Sequence, residues 1–326
     1  MSGQGAIPST EHFQLQTIAE GVFVAQPKLD GGAGCNAGII DLGDQTIIFD
    51  PFLTPQAATE LLAVAESVTS SPVKLVVNSH HHLDHIGGNQ SFPASTAIVS
   101  TSLTRELMRT QAVQQLSTLQ EQGVQRLAEL EKQASSVRKS VEKQDAQQAL
   151  AQWRFLQEAL PTWQFRLPTL TFDQRLVLYG SRRQVELLTF GSGHSQSDAI
   201  LYLPEEKIAF MGDLLTIQCH PALHDGDPGE LPRILDLINR LQPQRLVPGH
   251  GPVGSPTDLQ VMQQYLAAMT ETALTELAFQ TDAGMDINQR ISQLRPTGPF
   301  VAWTRSQHFA ANLRFLYARV MAAYAE

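Results

Sequence analysis

Apolar and polar positions change their rhythm three times along the chain. From Phe13 to about Val99 short apolar runs dominate, with one helix among them. Phe13 to Gln26 alternates, the period of a strand with one buried face. Ala37 to Leu42 and Gln45 to Asp50 flank Gly43-Asp44 and predict a hairpin. Thr54-Pro55 combines an N-capping side chain with proline at the first helical position, which predicts a helix to about Val68. Val73 to Asn78 is a short apolar run suited to a buried strand.

Between Thr101 and Leu160 the rhythm becomes helical. Leu116, Leu119, Leu127, Leu130, Ala134, Val137 and Val141 recur mostly three or four residues apart, as do Leu150, Trp153, Leu156 and Leu160. The segment has one glycine, Gly123, and no proline, so two long helices are predicted, inserted between strands and closed by Pro161 and Pro168. Strand patterns resume at Thr169–Phe172, Leu176–Tyr179, Val185–Phe190, Ala199–Leu203 and Lys207–Met211. A helix over Gly229–Leu241 and a strand at Arg245–Val247 follow. The tail is helical over Thr257–Phe279 and Gln307–Ala325, and in the last segment Phe309, Leu313, Leu316, Val320 and Tyr324 share a face.

Composition narrows the partners. A formal net charge of -9 and the lack of any Lys/Arg run argue against nucleic acid, whose phosphates need basic clusters. No basic segment followed by an apolar stretch opens the chain over Met1–His12, and no run reaches membrane-spanning length. Two cysteines, Cys35 and Cys219, do not make a disulfide framework. The expectation is a cytoplasmic protein with a small-molecule substrate, and the two long helices offer a face for a homodimer.

The chemistry concentrates in Asn78-Ser79-His80-His81-His82-Leu83-Asp84-His85, directly after an apolar strand. In an extended stretch alternate side chains share a face, so His80 and His82 can point at one cation. A turn after Leu83 would bring Asp84 and His85 to a second. Imidazole and carboxylate at this density suit zinc, iron or manganese better than calcium or magnesium.

This segment resembles the HxHxDH signature of the metallo-β-lactamase superfamily, and further motifs follow in the family's order. Gly191-Ser192-Gly193-His194-Ser195 is similar to the third motif, Phe210-Met211-Gly212-Asp213 to the fourth and Pro248-Gly249-His250-Gly251 to the fifth. Asp50 stands where the family has an early aspartate that hydrogen-bonds a ligand. The resemblance implies a first site of His80, His82 and His194, and a second of Asp84, His85 and His250, with Asp213 bridging two ions, expected to be zinc. It also implies an α/β fold, the αβ/βα metallo-β-lactamase sandwich. The catalytic unit would span residues 1–255 with a helical insertion at 101–165. Residues 256–326 would form a helical C-terminal extension packed on the same unit.

The chemistry so implied is hydrolysis by a hydroxide bridging two metals, with Asp84 and Asp213 as the catalytic carboxylates. An acyl bond of a small ester, thioester or lactone leads, with β-lactamase side activity in view. A phosphodiesterase on small phosphodiesters and an iron-loaded redox or sulfur-handling enzyme stay open. The sequence departs from familiar subgroups: Asp213 replaces the second-site cysteine of some β-lactamases, and Thr216 replaces both their lysine and the tyrosine of acyl-homoserine lactonases. Glyoxalase II residues for glutathione are not found in the tail, and His82 stands where diiron flavoproteins carry glutamate. His81 is not expected to be a ligand. His220, His224, Asp225 and Asp227 are placed at the pocket mouth or on a solvated loop, and Asp225 and Asp227 would discriminate against anionic substrates. Cys219 is expected as buried filler, and Trp303, Arg305 and His308 as tail packing. Insertion and tail would shape an apolar pocket over the metals.

Overall fold

The computed structural model describes residues 8–138, 140–283 and 286–325. Residues Met1–Ile7 of the N-terminal reading and the Tyr324 side chain lie outside what it describes. The chain opens with a meander of four antiparallel strands, β1 (Phe13–Ala19), β2 (Val22–Pro27), β3 (Ala37–Asp41) and β4 (Thr46–Phe49). Helix α1 (Pro55–Thr69) starts where predicted, because the Thr54 hydroxyl accepts the Ala57 N–H. Strand β5 (Val73–Val77) joins β4 in parallel, and the short helix α2 (Leu83–Ile86) follows it. The next parallel strand is β6 (Ala97–Thr101), whose partner β7 (Leu170–Phe172) lies beyond the insertion.

The insertion begins with α3 (Ser102–Leu107), a π-turn over Met108–Ala112 and α4 (Val113–Ser136). The reading that carried one helical stripe through Val137 to Val141 is corrected, since Val137 is extended at ψ 130° and ends α4. Ser135 and Ser136 donate their hydroxyls to the carbonyls of Lys132 and Gln133, competing with the helical ladder there. The second arm is α5 (Ser140–Ala159). A second sheet then forms from β8 (Arg175–Tyr179), β9 (Gln184–Thr189), β10 (Ala199–Leu203), β11 (Ile208–Phe210) and β12 (Arg245–Val247), with α6 (Leu231–Asn239) before β12. Helices α7 (Pro256–Ala283), α8 (Ile287–Gln293) and α9 (Gln307–Ala325) complete the chain.

Period-two burial stacks these elements in layers. Ile40, Ile47, Phe49 and Val77 of the seven-stranded sheet face Leu187, Leu201 and Phe210 of the five-stranded sheet. Their neighbours Ile39, Ile48 and Val76 point the other way, onto Leu61 and Ala65 of α1. Central strands β3 and β4 are therefore buried along their whole length. The far side of the second sheet is covered by Ile234 and Leu235 of α6, Met262 and Tyr265 of α7, and Leu313 of α9. The result is the αβ/βα sandwich. Strands β4, β5, β11 and β12 all end at one edge of it, and their following loops meet there.

Candidate metal centre and cavity

The first half of the site hangs from the seven-stranded sheet. Directly after β4, Asp50 takes a left-handed backbone (φ 57°) that turns its carboxylate beneath the loop after β5. Its Oδ1 accepts the Ser79 N–H at 2.8 Å, and its Oδ2 accepts the Ser79 hydroxyl at 2.7 Å and His85 Nδ1 at 2.8 Å. Burial pushes the Asp50 carboxyl up against the pull of His85 and Ser79. Having given its proton to Asp50, Ser79 Oγ accepts from His80 Nδ1 at 2.8 Å. His82 Nε2 in turn lies 3.0 Å from Asp225 Oδ2. In all three histidines the outer hydrogen bond thus fixes the ring and turns its other nitrogen inward.

The second half hangs from the five-stranded sheet. The loop between β9 and β10 wraps around Asp198, whose carboxylate accepts the N–H groups of Gly193 (3.1 Å), His194 (2.9 Å) and Ser195 (3.0 Å). Burial pushes that carboxyl up to about 6, against those donors. This turn aims His194 inward. Asp213 follows β11 and His250 follows β12, and the two loops touch so closely that a Cβ on Gly249 would lie 1.9 Å from Asp213 Oδ1. Asn36 Nδ2 fastens the second loop by donating to the carbonyls of Pro248 (2.8 Å) and Gly251 (2.9 Å).

These inward nitrogens and oxygens meet in two groups. His82 Nδ1 lies 3.0 Å from His80 Nε2 and 3.0 Å from His194 Nε2. Burial and the neighbouring imidazoles hold His80 well below its ordinary pKa, and burial first of all holds His194 down to about 3, so both rings are neutral. Three facing lone pairs repel unless a cation sits among them. Zinc bonds of about 2.0–2.1 Å at tetrahedral angles separate nitrogens by roughly 3.3 Å, close to this triangle. In the other group Asp84 Oδ2 lies 3.2 Å from His250 Nε2 and 3.7 Å from His85 Nε2. Asp213 stands between: Oδ2 is 3.4 Å from His194 Nε2 and 3.3 Å from His250 Nε2, while Oδ1 is 3.2 Å from His85 Nε2. Burial would raise Asp213, but His250, His85 and His194 outweigh it and hold the carboxyl well below its usual range. His85 Nε2, His250 Nε2 and Asp213 Oδ1 are buried without a hydrogen-bond partner. Buried polar atoms are normally satisfied, so a donor set with these orphans fits a metal pair.

Known proteins show the same frame. The profile of the metallo-beta-lactamase superfamily matches residues 30–250. The chain belongs to that superfamily. A metallo-beta-lactamase from Pontibacter korlensis superposes with a TM-score of 0.55 at 19% identity, covering 78% of this chain and 99% of that one. One from Hirschia baltica gives 0.55 at 15% identity, covering 77% and 95%. At such identities the likeness concerns the fold. No curated protein gives a significant match to the chain. The superfamily consists mostly of metal-dependent hydrolases.

Other superfamily expectations can be placed one by one. All seven expected ligands, with Asp50 beneath them, come together. His81 Nε2 lies 3.2 Å from Asp225 Oδ2, so His81, His82 and Asp225 are also close enough to hold a cation. Hydrogen bonds account for that trio, because the other nitrogen of His82 faces the first group. Asp225 and Asp227 are not free to repel anions: one serves the two histidines, the other pairs with Arg319 at 2.9 Å. His220 is buried against Tyr265, Trp303 and Phe309, away from solvent. Thr216 turns inward and donates to the Cys219 carbonyl at 2.9 Å. Burial pushes the thiol of Cys219 up to about 11 and that of Cys35, beside His85, up to about 12, so neither is a thiolate.

Two chambers flank the ligands. One, of about 290 Å³, is lined by His82, Asp84, His194 and Asp213, by Leu53 and Leu83, by Gln115 and Leu119 of the insertion, and by His224, Arg305 and His308. The assignment of Arg305 and His308 to tail packing is thereby corrected; Trp303 alone is core. The other chamber, of about 370 Å³, borders His250 and carries six glutamines: Gln14, Gln26, Gln144, Gln148, Gln152 and Gln307. The pocket is therefore mixed, not apolar as expected. A pairing across the fold brings Arg305 to the mouth. Asp145 of α5 accepts the backbone N–H groups of Arg305 (2.9 Å) and Ser306 (2.8 Å), tying tail to insertion.

Proposed function

We propose that this protein is a binuclear, zinc-dependent hydrolase that cleaves the acyl bond of a small ester, thioester or lactone. The observation that carries this reading is the pair of donor groups sharing Asp213, with orphaned buried atoms turned toward the space between them. His80, His82 and His194 would hold one ion, and Asp84, His85 and His250 the other. When bound, the ions supply a water acidified toward neutral pH and a Lewis acid for the carbonyl oxygen.

The chain's own residues do the rest. Asp50, Ser79 and Asp225 fix which nitrogen of each histidine faces inward. Asp84 and His82 are the half-buried members of the set, with 25% and 21% of their side chains exposed, and both line the smaller chamber. Besides holding the second ion, Asp84 would steady the attacking water and pass its proton toward the leaving group. Leu53, Leu83 and Leu119 keep bulk water off one wall and give an acyl chain an apolar rest. A phosphodiester brings its own charge and is usually clamped by several cations, whereas Arg305 is the one Lys or Arg among the described lining residues.

The test is turnover by zinc-loaded protein across aryl esters, lactones, acyl thioesters, a chromogenic cephalosporin and bis-aryl phosphates. Hydrolysis of the acyl substrates, abolished by chelator and restored by zinc, is expected. Turnover of the phosphates alone would overturn the acyl reading, and native iron with a visible absorption band would overturn the assignment to zinc.

A further inference from the structure

Among the described residues Arg305 is the one that lines both chambers. Its guanidinium Nη2 lies 3.8 Å from Asp84 Oδ2, beyond hydrogen-bond reach, and this is its one acidic neighbour within 4.0 Å among the described residues. The side chain is 29% exposed, and its Nη2 reaches toward Asp84, which lines the smaller chamber. The backbone beneath it is rigidly held. Arg305 has a left-handed backbone (φ 58°), its N–H and that of Ser306 are bound by the Asp145 carboxylate, and Thr304 donates to the Gln218 carbonyl at 3.0 Å.

We propose that Arg305 is the specificity-determining cation of this site, holding a free carboxylate of the substrate beside the bond that is cleaved. This rests on the hydrolase reading above and names its substrate class: acyl compounds that also carry a carboxylate. Electrostatics favours it. Asp84 belongs to the donor set of the second ion, so its charge is shared there and leaves the guanidinium uncompensated. A fixed cation next to two more cations calls for an anion between them, and a carboxylate matches the guanidinium fork in two parallel hydrogen bonds. The chemistry also sets the reach. A short substrate places its acyl carbon at the ligands while its carboxylate meets Arg305, and any longer polar arm runs on among the glutamines of the larger chamber.

Paired substrates test this. Monomethyl glutarate is compared with dimethyl glutarate, and 4-acetoxybenzoate with its methyl ester, on zinc-loaded wild-type protein, Arg305→Gln and Arg305→Lys. Glutarate binding is measured separately by calorimetry on the same three proteins. The wild type is expected to show a lower KM for the acid of at least one pair. Arg305→Gln should shrink that preference roughly 10- to 100-fold, the size of a charge-assisted hydrogen bond, and weaken glutarate to a similar extent. Arg305→Lys should recover part of both and shows that loss of folding is not the cause. An acid-to-neutral KM ratio unchanged in Arg305→Gln, with glutarate bound equally by both proteins, overturns the proposal. The two readings fail separately. Ester turnover without dependence on Arg305 sinks this inference alone, while Arg305-dependent glutarate binding without any ester turnover sinks the acyl-hydrolase reading alone.

Discussion

At the scale of single residues, the site divides into groups a sequence displays and groups only the fold assembles. His80, His82, Asp84 and His85 announce themselves because four donors crowd into six positions after a strand. Asp225 gives no such signal: it lies 143 positions from His82, and its carboxylate has meaning only once a loop of one sheet is folded against a loop of the other. Asp198 and Asn36 are the same case, ordinary loop residues until the backbone groups they bind are in place. Burial would raise the Asp225 carboxyl, but the hydrogen bonds from His81 and His82 outweigh it and hold it below its ordinary range. It therefore stays ionised and fixes the His82 ring with Nδ1 inward. Removing such an outer partner commonly costs 10- to 100-fold in metal affinity, roughly the loss expected for Asp225→Ala. Competition against a chromophoric zinc chelator would measure it, and unchanged affinities for both ions would contradict this role.

At the scale of elements, most strands and long helices are legible because burial follows period: α1 and α7 begin within a residue or two of where capping and apolar spacing put them, whereas the break between α4 and α5 is hidden by a stripe that runs on through Val137 and Val141. Short connectors are not legible. Strand β6 ends where the helical insertion starts, and the two patterns overlap at Thr101. Helix α8 spans only Ile287–Gln293, too few residues to display a period. Arg305 was read as packing because its distance from the site is set by docking of the tail, not by any local pattern. That docking has its own chemistry. His220 Nδ1 lies 3.0 Å from the Tyr265 hydroxyl of α7, and Asn312 of α9 donates to the Pro221 carbonyl at 2.8 Å. Burial holds His220 down to about 4, from 6.5. The unfolded chain therefore binds a proton on this ring more readily than the folded one. The ring's contribution is intact above about pH 6.5 and is lost as pH falls toward 4. At pH 5 the loss is about 2 kcal/mol by proton linkage. Urea denaturation at pH 7 and pH 5 should show His220→Asn less sensitive to this drop than wild type, and equal sensitivity would place the acid response elsewhere.

At the scale of the whole molecule, the ligands are divided between the two sheets. His80, His82, Asp84 and His85 belong to the seven-stranded sheet, while His194, Asp213 and His250 belong to the five-stranded one. An ion held by both groups is thus a further cross-link between halves that already meet through side-chain packing and hydrogen bonds such as those of Asn36 to the Pro248 and Gly251 carbonyls. Without it, His85 Nε2 and His250 Nε2 lie 3.2 and 3.3 Å from Asp213 oxygens but make no hydrogen bond to them, so the buried donor set is poorly satisfied. Metal binding should therefore stabilise the fold as well as activate it. A ligand at a hundred times its dissociation constant stabilises by about 2.7 kcal/mol, and for domains of 150–250 residues each kcal/mol moves Tm by about 2–4 °C. Titrating zinc into chelator-treated protein is expected to raise Tm by several degrees. The double variant His194→Ala/His250→Ala, which removes one ligand of each site from the five-stranded half, should lose that response while keeping the four donors of the other half. A rise of equal size in the variant would mean that zinc binds only the seven-stranded half and that the two sheets are not bridged at all.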